Sequence, residues 1–516
     1  MGQTLRMQNF AAASGWQSCQ RDVKKLCFYV TELRGVAVPK WRGPTPTYLP
    51  RRGRNNCRIE IVLYQNRIDM THDIEKLRSA ALAYHEFPHP GKTETVPTKP
   101  FSTPADLSLA YSPGVAYPSL EIADNPSKVF DYTNKGNTVA VISNGTAVLG
   151  IGDVGALAAK PVMEGKALLF KIFANIDAYD IEISEKDPKK MIETVRAIAP
   201  SFGGINLEDI RSPECFEIEA GLATSCGIPV MHDDQHGTAV IVAAAMINAA
   251  DIQGKKIDEI KLVVNGAGAA AIACTRLLIR LGVRPDNIVM CDSKGVMTRG
   301  RDNLNAIKRE FVTDRDDLHT LADALKGADA FLGLSVADVM TPAMLRSMAP
   351  RPIVFALANP DPEIDRATAM ATRDDLVYAT GRSDYPNQIN NVLGFPYIFR
   401  GALDCRARCI NEDMKLAAAR AIAHIARQPV PDELAAMYGV DSLRFGPGYI
   451  LPKPFDRRLL SVVSPAVAVA AMNSGVAARH IADPDKYGRT LEAEIHCMDN
   501  AMNTFISYSC AAPSLK

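Results

Sequence analysis

The sequence has no excess of charge of either sign, because 58 Lys and Arg residues are matched by 58 Asp and Glu residues. A balanced chain creates no global field favouring nucleic acid or an anionic membrane, so a small polar ligand is the better expectation. The eleven cysteines include no CxxC pair. Scattered thiols in odd number argue against a disulfide framework and favour a reducing compartment, which predicts a cytoplasmic location.

The chain also lacks an apolar run suited to crossing a membrane. Thr238–Ala250 is shorter than the roughly 20 residues that a span requires, and Leu459–Ala478 is interrupted by Pro465 and several polar residues. Both runs are interpreted as buried helices, and no membrane partner is predicted. With 516 residues, two or three domains are expected.

Residues 1–69 differ from the rest, since 12 Lys and Arg residues stand against 4 Asp and Glu residues. The segment has no signal-peptide core and no interleaved aromatic residues. It is therefore predicted to be a disordered basic extension, with Met70 as the expected functional start, rather than a nucleic-acid-binding arm.

Acidic side chains follow two successive predicted strands. Glu208 and Asp209 end a glycine-punctuated strand within 202–210, and Asp234 follows the strand 228–231. Carboxylates at the carboxyl ends of strands in an open α/β sheet lie where ligands bind, and three oxygen donors suit Mg²⁺ or Mn²⁺.

Two histidines adjoin these acids. His232 and His236 could add nitrogen ligands and favour zinc, but no third histidine is near. His236 is instead interpreted as supporting the site by hydrogen bonding, and His232 as packing or facing solvent.

A dinucleotide fold is predicted from residue 261 onwards. A strand at 261–264 precedes a GxGxxA turn, an apolar helix follows at 272–281, and a second strand ends at Asp292, 24 residues after Gly268. This context places the pyrophosphate at a helix N-terminus and an acid near the ribose. The turn consists of Gly266, Ala267, Gly268, Ala269, Ala270 and Ala271.

The residues leave the choice between NAD and NADP open. Asp292 would accept hydrogen bonds from the 2′-hydroxyl of NAD and repel the 2′-phosphate of NADP, whereas Ser293 and Lys294 could hold that phosphate. Asn359, after a later strand, could reach the nicotinamide ribose or the substrate.

Other candidates are weaker on sequence alone. Tyr111 precedes a Ser-Pro-Gly turn, which could hold it at a cleft rim or leave it an ordinary aromatic residue. Lys166 enters an apolar run, where desolvation could lower its pKa or the side chain could simply snorkel. Gly150–Gly155 matches GxGxxG, but no clear helix opens from it, so a tight turn after a short strand at 147–151 is predicted.

Long ordered strings give a specific resemblance. AYSPGVA, SNGTAVLGIGDVGALAAKPVMEGKALLFK, FGGINLEDI, HDDQHGTA, NGAGAAAIA, FALANPDPEI and ATGRSDYPNQINNVLGFPYIFRGALD together resemble the bacterial malic enzymes from about residue 70 to about residue 480. The resemblance implies that (S)-malate is oxidised by NAD(P)⁺, that the resulting oxaloacetate loses CO₂, and that enolpyruvate is protonated to pyruvate.

The resemblance also implies a role for each matching residue. Tyr111 falls on the family's acid, Lys166 on its base and Asp233 on the aspartate that assists the base. The metal ligands fall on Glu208, Asp209 and Asp234. The cofactor contacts fall on the turn Gly266–Ala271 and on Asn359, and the substrate-binding residues are Lys166, Asn390 and Asn391.

Some positions depart from the family pattern. Animal and plant relatives place a carboxylate-binding arginine where Ala147 stands, and Tyr117 replaces an acid or a small residue. The stretch after residue 480 is too short for the phosphotransacetylase-like domain of long bacterial forms, so regulation through that domain is not expected.

The resemblance also implies homo-oligomerisation, as a homodimer or larger, with an active site that can take residues from the partner chain.

An α/β protein is therefore expected. The predicted parts are the extension (1–69), an α/β substrate and metal domain (70–231), a doubly wound Rossmann-like NAD(P) domain (232–425), and a helical C-terminal segment (426–516) whose last residues, 500–516, form a tail. Rival hypotheses are another metal-dependent decarboxylating hydroxyacid dehydrogenase, a pure oxaloacetate decarboxylase and a non-catalytic nucleotide-binding protein.

Overall fold

A computed structural model of the chain describes residues 74–87, 90–148 and 150–511, with side chains as far as residue 498. The predicted extension, 1–69, lies outside the described residues. The described residues from Glu75 onwards form one compact unit. Within it the domain boundaries inferred from the sequence stay a prediction.

The first half begins with exposed helices and then builds a small parallel sheet. The helices are α1 (Ile74–Glu86), α2 (Pro104–Ala110), α3 (Ala116–Asp124), α4 (Val129–Tyr132), α5 (Ala156–Ala174), α6 (Pro188–Ile198), α7 (Glu214–Ser225) and α8 (Asp233–Ile252). The strands are β1 (Thr138–Ser143), β2 (Asp177–Glu182), β3 (Gly204–Leu207) and β4 (Val230–His232). They pair in parallel in the order β2-β1-β3-β4.

The second sheet has the doubly wound topology expected of a dinucleotide fold. Its strands are β5 (Leu262–Asn265), β6 (Ile288–Asp292), β7 (Gly295–Val296), β8 (Ala330–Gly333), β9 (Ile353–Ala356) and β10 (Val377–Thr380). Their order is β10-β9-β8-β5-β6-β7, and only the β6–β7 pairing within this sheet is antiparallel. The chain direction across the sheet reverses between β5 and β8, the switch point at which ligands bind in such folds.

Helices cover this sheet and complete the chain. They are α9 (Ala269–Leu281), α10 (Leu321–Leu325), α11 (Pro342–Ser347), α12 (Arg366–Thr372), α13 (Phe395–Asp404), α14 (Glu412–Arg427), α15 (Asp432–Met437), α16 (Arg458–Asn473) and α17 (Pro484–Ala511). Helix α17 runs through most of the predicted tail, 500–516. None of the described helices has the length and apolar character needed to span a membrane.

The central helix α8 joins the two sheets. From Ala239 to Met246 every residue is fully or almost fully buried, in a core that includes Val141 of the first sheet and Val264 of the second. Burial on all sides explains why its sequence is apolar without helical periodicity. The predictions of buried helices at 238–250 and within 459–478 are confirmed, the latter as α16.

One local prediction is wrong. Helix α5 opens directly from Gly155, and the described part of 147–151 forms a turn with a single bridge between Val148 and Gly152 instead of a strand. The amides of Val154 and Gly155 both donate to the carbonyl of Gly145, each at 3.0 Å. A Cβ on Gly145 would lie 2.3 Å from the Gly155 carbonyl oxygen, so this closed loop requires glycine.

The segment before the first sheet packs against nothing in this chain deeply enough to be buried. None of the described residues from 75 to 137 falls in the buried class. It nevertheless carries many large apolar side chains with at least half of their surface exposed, namely Leu82, Tyr84, Phe87, Val96, Phe101, Leu107, Leu109, Tyr111, Tyr117, Leu120 and Tyr132. We call residues 75–137 the exposed arm.

Candidate metal and dinucleotide site

Three carboxylates meet at the carboxyl edge of the first sheet. Glu208 and Asp209 follow β3, and Asp234 lies in the first turn of α8, directly after the neighbouring strand β4. Their ligand atoms lie within 4.8 Å of one another. The backbone amide of Asp209 donates to Oδ2 of Asp234 at 2.8 Å, which fixes the two acids relative to each other.

The chemistry of this cluster fits a divalent cation. Burial raises the pKa of Glu208 well above its ordinary value and outweighs the nearby Lys166, while Asp234, Asp233 and Asp209 raise it further. Buried like charges are unfavourable unless a cation compensates them. Three hard oxygen donors match the preferences of Mg²⁺ and Mn²⁺, as the sequence predicts.

The histidines support the cluster from outside. His232 is fully buried, with Nδ1 3.7 Å from Oδ2 of Asp234. His236 pairs through Nε2 with Glu219 at 3.0 Å and through Nδ1 with Lys415 at 2.9 Å. Glu219 also accepts from the amide of His232 at 2.8 Å, so it holds the turn between β4 and α8. These bonds are in line with the supporting role predicted for His236, and of the two alternatives predicted for His232, packing or facing solvent, its burial favours packing.

Lys166 lies beside the cluster, on α5. Its ammonium donates to Oε1 of Glu208 at 3.1 Å and to Oδ2 of Asp233, and it lies 3.8 Å from the ring centroid of Phe395. Burial alone would lower the pKa of Lys166, but Asp233 and Glu208 more than offset it and raise the pKa above its ordinary value. Two charge-assisted hydrogen bonds therefore fix the position of the Lys166 ammonium.

Asp233 is held in place by Asn391, a residue for which the family resemblance implies substrate binding. Asn391 donates through Nδ2 to the carbonyl and to Oδ2 of Asp233, both at 3.1 Å, and its Oδ1 accepts from Thr238 at 3.0 Å. Asn390 accepts from the amide of Val392. In this structure the amide of Asn391 therefore orients Asp233, and direct contact of Asn390 and Asn391 with substrate stays a prediction.

Among the described residues, no hydrogen bond joins Tyr111 to this cluster. Its side chain is 76% exposed, at the end of α2 in the exposed arm. Tyr117, in the same arm, is 72% exposed. At the position where animal and plant relatives carry an arginine, the amide of Ala147 donates to the carbonyl of Asp209 at 2.9 Å, and the alanine side chain offers no positive charge.

The glycine-rich turn forms at the carboxyl end of β5. Gly266 has φ of 121°, and a Cβ there would lie 2.3 Å from the carbonyl oxygen of Leu334, which follows β8. Helix α9 begins at Ala269 with no side chain capping its first amides. Free amides at a helix N-terminus suit a pyrophosphate. Asn359 is exposed and lies in the loop that follows β9.

Asp292 is at the end of β6, where a ribose-binding acid is predicted, but it is already paired. Arg301 binds both of its oxygens at 2.8 and 3.0 Å, and Lys308 donates to Oδ2 at 3.2 Å. Although burial opposes it, these bonds and that from the amide of Lys294 lower the pKa of Asp292 to about 2. Ser293 and Lys294 are exposed beside it. Motif reasoning does not find Arg301 and Lys308, because Arg301 lies in a loop and Lys308 begins a short 3-10 helix, Lys308–Phe311, and neither belongs to a fixed sequence pattern.

A buried lysine, a carboxylate cluster suited to a divalent cation and a doubly wound dinucleotide fold together define the class of metal-dependent dehydrogenases. Two family profiles match the chain: "Malic enzyme, N-terminal domain" over residues 90–187 and "Malic enzyme, NAD binding domain" over residues 235–444. The chain belongs to the malic enzyme family.

Individual relatives agree. The NADP-dependent malic enzyme of Halomonas elongata is 57% identical over 402 residues, which are 78% of this chain and 95% of that protein. That of Escherichia coli K12 is 55% identical over 440 residues, 85% of this chain but only 58% of that protein, so the chain spans little more than half of that relative's length. The crystal structure of malic enzyme from Pyrococcus horikoshii OT3 superposes with a TM-score of 0.78 at 42% identity, covering 84% of this chain and 99% of the other.

Proposed function

We propose that this protein catalyses the oxidative decarboxylation of (S)-malate to pyruvate and CO₂, with reduction of NADP⁺ and with Mg²⁺ or Mn²⁺ held by Glu208, Asp209 and Asp234. The observation that carries the proposal is the contact of Lys166 with Asp233 and Glu208 in a chain of the malic enzyme family. The substrate part is assigned to residues 70–231, the NAD(P) part to 232–425 and the helical remainder to 426–516.

The residues divide the chemistry between them. Lys166 passes one ammonium proton to Asp233 and, as the neutral amine, takes the proton of the C2 hydroxyl as hydride leaves C2. Asp233, held by Asn391, keeps the lysine aimed at the substrate. Tyr111 supplies the proton that converts enolpyruvate to pyruvate. Glu208, Asp209 and Asp234 would hold a divalent cation that would supply Lewis acidity for the oxidation and for the loss of CO₂, and the turn Gly266–Ala271 would hold the nucleotide that would serve as hydride acceptor.

The preference for NADP⁺ is supported by the pairing of Asp292. An aspartate bound to Arg301 and Lys308 presents little negative charge to a ribose, and Lys294 adds a third cation nearby. Three cations around one carboxylate favour a 2′-phosphate dianion over a neutral hydroxyl.

We also propose a homodimer or larger homo-oligomer in which Tyr111 serves the site of the partner chain. The exposed arm carries eleven large apolar side chains with at least half of their surface exposed, and an extended apolar surface is typical of a protein–protein interface. Leu157, at the start of the helix that bears Lys166, is itself 87% exposed and offers a further apolar contact on that helix. A cytoplasmic location is supported by the free state of all seven cysteines whose side chains are described.

The test is an assay of the purified chain with (S)-malate, Mn²⁺ and either NADP⁺ or NAD⁺. Nucleotide reduction should be matched by equimolar pyruvate, with a higher kcat/KM for NADP⁺. Accumulation of oxaloacetate without CO₂, or decarboxylation of oxaloacetate without any malate oxidation, would replace the proposal with one of the rival enzymes.

A further inference from the structure

A buried carboxylate ties together the strand ends of the second sheet. Glu363 has no solvent exposure, although it follows the exposed turn at Asn359 and Pro360. Oε1 accepts from the backbone amide of Ser335 at 2.9 Å and from its hydroxyl at 3.0 Å, and Oε2 accepts from the amide of Ala358 at 3.0 Å. Ser335 follows β8 and Ala358 follows β9, so one side chain joins two neighbouring strands.

The network extends to a third strand. Asn265, the last residue of β5, donates through Nδ2 to the hydroxyl of Ser335 at 2.8 Å. Asn265 directly precedes Gly266, the first residue of the nucleotide turn, and Ala358 directly precedes Asn359. The strands β5 and β8 are the pair between which the chain direction reverses. The carboxylate therefore lies beneath the place where a dinucleotide would bind.

Close packing makes this arrangement specific. A Cβ on Gly333 would lie 2.3 Å from the carboxyl carbon of Glu363, so β8 ends in glycine to admit the side chain. No ion pair to Glu363 occurs among the described side chains, and its charge is met only by amide and hydroxyl donors. An unpaired buried carboxylate is an unfavourable way to stabilise a sheet. Its particular property is that both oxygens accept, which fixes two backbone amides at once.

We propose that Glu363 is a positioning residue that sets the shape of the dinucleotide crevice by holding the ends of β5, β8 and β9 in register. This inference rests on the proposed function, because it assumes that the crevice binds NADP⁺. It concerns binding of the nucleotide rather than proton transfer at Lys166.

The test compares Glu363→Gln with a matched control on the same sheet. In the Gln variant one acceptor becomes a donor that must face the amide of Ala358 or Ser335, so the strand ends separate. Asp329 ties strands at the opposite edge, accepting from the amide of Lys261 at 3.0 Å and from Lys255 at 2.6 Å. Asp329→Asn is expected to lower the melting temperature without changing the crevice.

The measurements are NADPH affinity by fluorescence titration, Mn²⁺ affinity, melting temperature and steady-state kinetics on the full chain. Glu363→Gln should weaken NADPH binding on the order of tenfold and raise KM for NADP⁺ by a similar factor, with KM for malate and Mn²⁺ affinity unchanged. Asp329→Asn should leave NADPH affinity within twofold of the wild type.

Folded Glu363→Gln protein that binds NADPH as tightly as the wild type would overturn the inference while leaving the proposed function intact. Should that variant fail to fold, Ser335→Ala removes the hydroxyl that donates to Glu363 and accepts from Asn265 but keeps the backbone amide bond to Glu363, and an unchanged NADPH affinity there would equally overturn the inference. A wild-type chain that binds NADPH but does not oxidise malate refutes the proposed reaction and leaves the inference standing. A wild type that binds neither NADPH nor NADH refutes both.

Discussion

The ammonium of Lys166 donates a hydrogen bond to Asp233, a carboxylate with no solvent exposure. The pair lies at the junction of the two halves of the described chain, because Lys166 comes from α5 of the first and Asp233 begins α8, which leads to the second. Charged partners without access to water interact strongly and hold one geometry. The arrangement positions an amine next to the carboxylate cluster.

The first prediction concerns the base. Lys166→Gln should lower kcat for malate oxidation by about 10²- to 10⁴-fold, because an amide cannot accept the hydroxyl proton. NADPH affinity should change by less than twofold, since Gln still donates to Asp233 and keeps the site folded. Lys160→Gln is the matched control on the same helix, where the lysine binds Asp180 away from the cluster. Near-normal turnover of Lys166→Gln would remove Lys166 from its assigned role.

The second prediction concerns the metal. Chelation should abolish malate oxidation, and added Mn²⁺ or Mg²⁺ should restore it. Asp234→Asn keeps an oxygen that can accept from the amide of Asp209 but loses the charge, so Mn²⁺ affinity should fall by at least roughly 100-fold. Electron paramagnetic resonance titration of free Mn²⁺ measures this.

Asp251→Asn is the control for that experiment, because this acid lies at the other end of α8 and pairs with Arg427 at 3.1 Å. Equal Mn²⁺ affinity in the two variants would show that the three-carboxylate cluster is not the metal site.

The carboxylate cluster and the dinucleotide fold could be predicted from sequence because each depends on local order. Glu208, Asp209 and Asp234 follow buried strands, and parallel strands bring their carboxyl ends together. The turn at Gly266 lies between a strand and a helix of the expected lengths. The periodicity of strands and helices along the chain is therefore enough to predict most of the second sheet.

Contacts between distant segments could not be predicted in this way. Asn391 meets Asp233 across 158 residues of sequence, and Lys415 meets His236 across 179. The sequence around a polar residue in a loop or on a helix does not indicate which distant residue it contacts in the fold. The helix after Gly155 was missed for a different reason, since Pro161 lies inside it and a proline is normally evidence against a helix interior.

The third prediction concerns the choice of cofactor. Lys308→Gln should raise KM for NADP⁺ by roughly tenfold and leave KM for NAD⁺ almost unchanged, because in the proposed binding mode the lost cation would pair with the 2′-phosphate, which NAD⁺ lacks. Steady-state kinetics with both nucleotides measure the ratio. Arg299→Gln is the control, since Arg299 pairs with the exposed Asp314 instead of Asp292. A parallel loss with NAD⁺ would indicate a general effect on the loop.

The last prediction concerns the exposed arm and separates action within one chain from action between chains. Tyr111→Phe and Lys166→Gln homo-oligomers should each be nearly inactive. If Tyr111 serves the partner's site, a mixed dimer of the two variants contains one site with both native residues and one with neither. Co-expression with two affinity tags should then yield hetero-oligomers with about half the wild-type activity per dimer, whereas purified homo-oligomers mixed without exchange should yield none. Hetero-oligomers that stay inactive would show that Tyr111 and Lys166 act within the same chain, and a strictly monomeric wild type of normal activity would lead to the same conclusion.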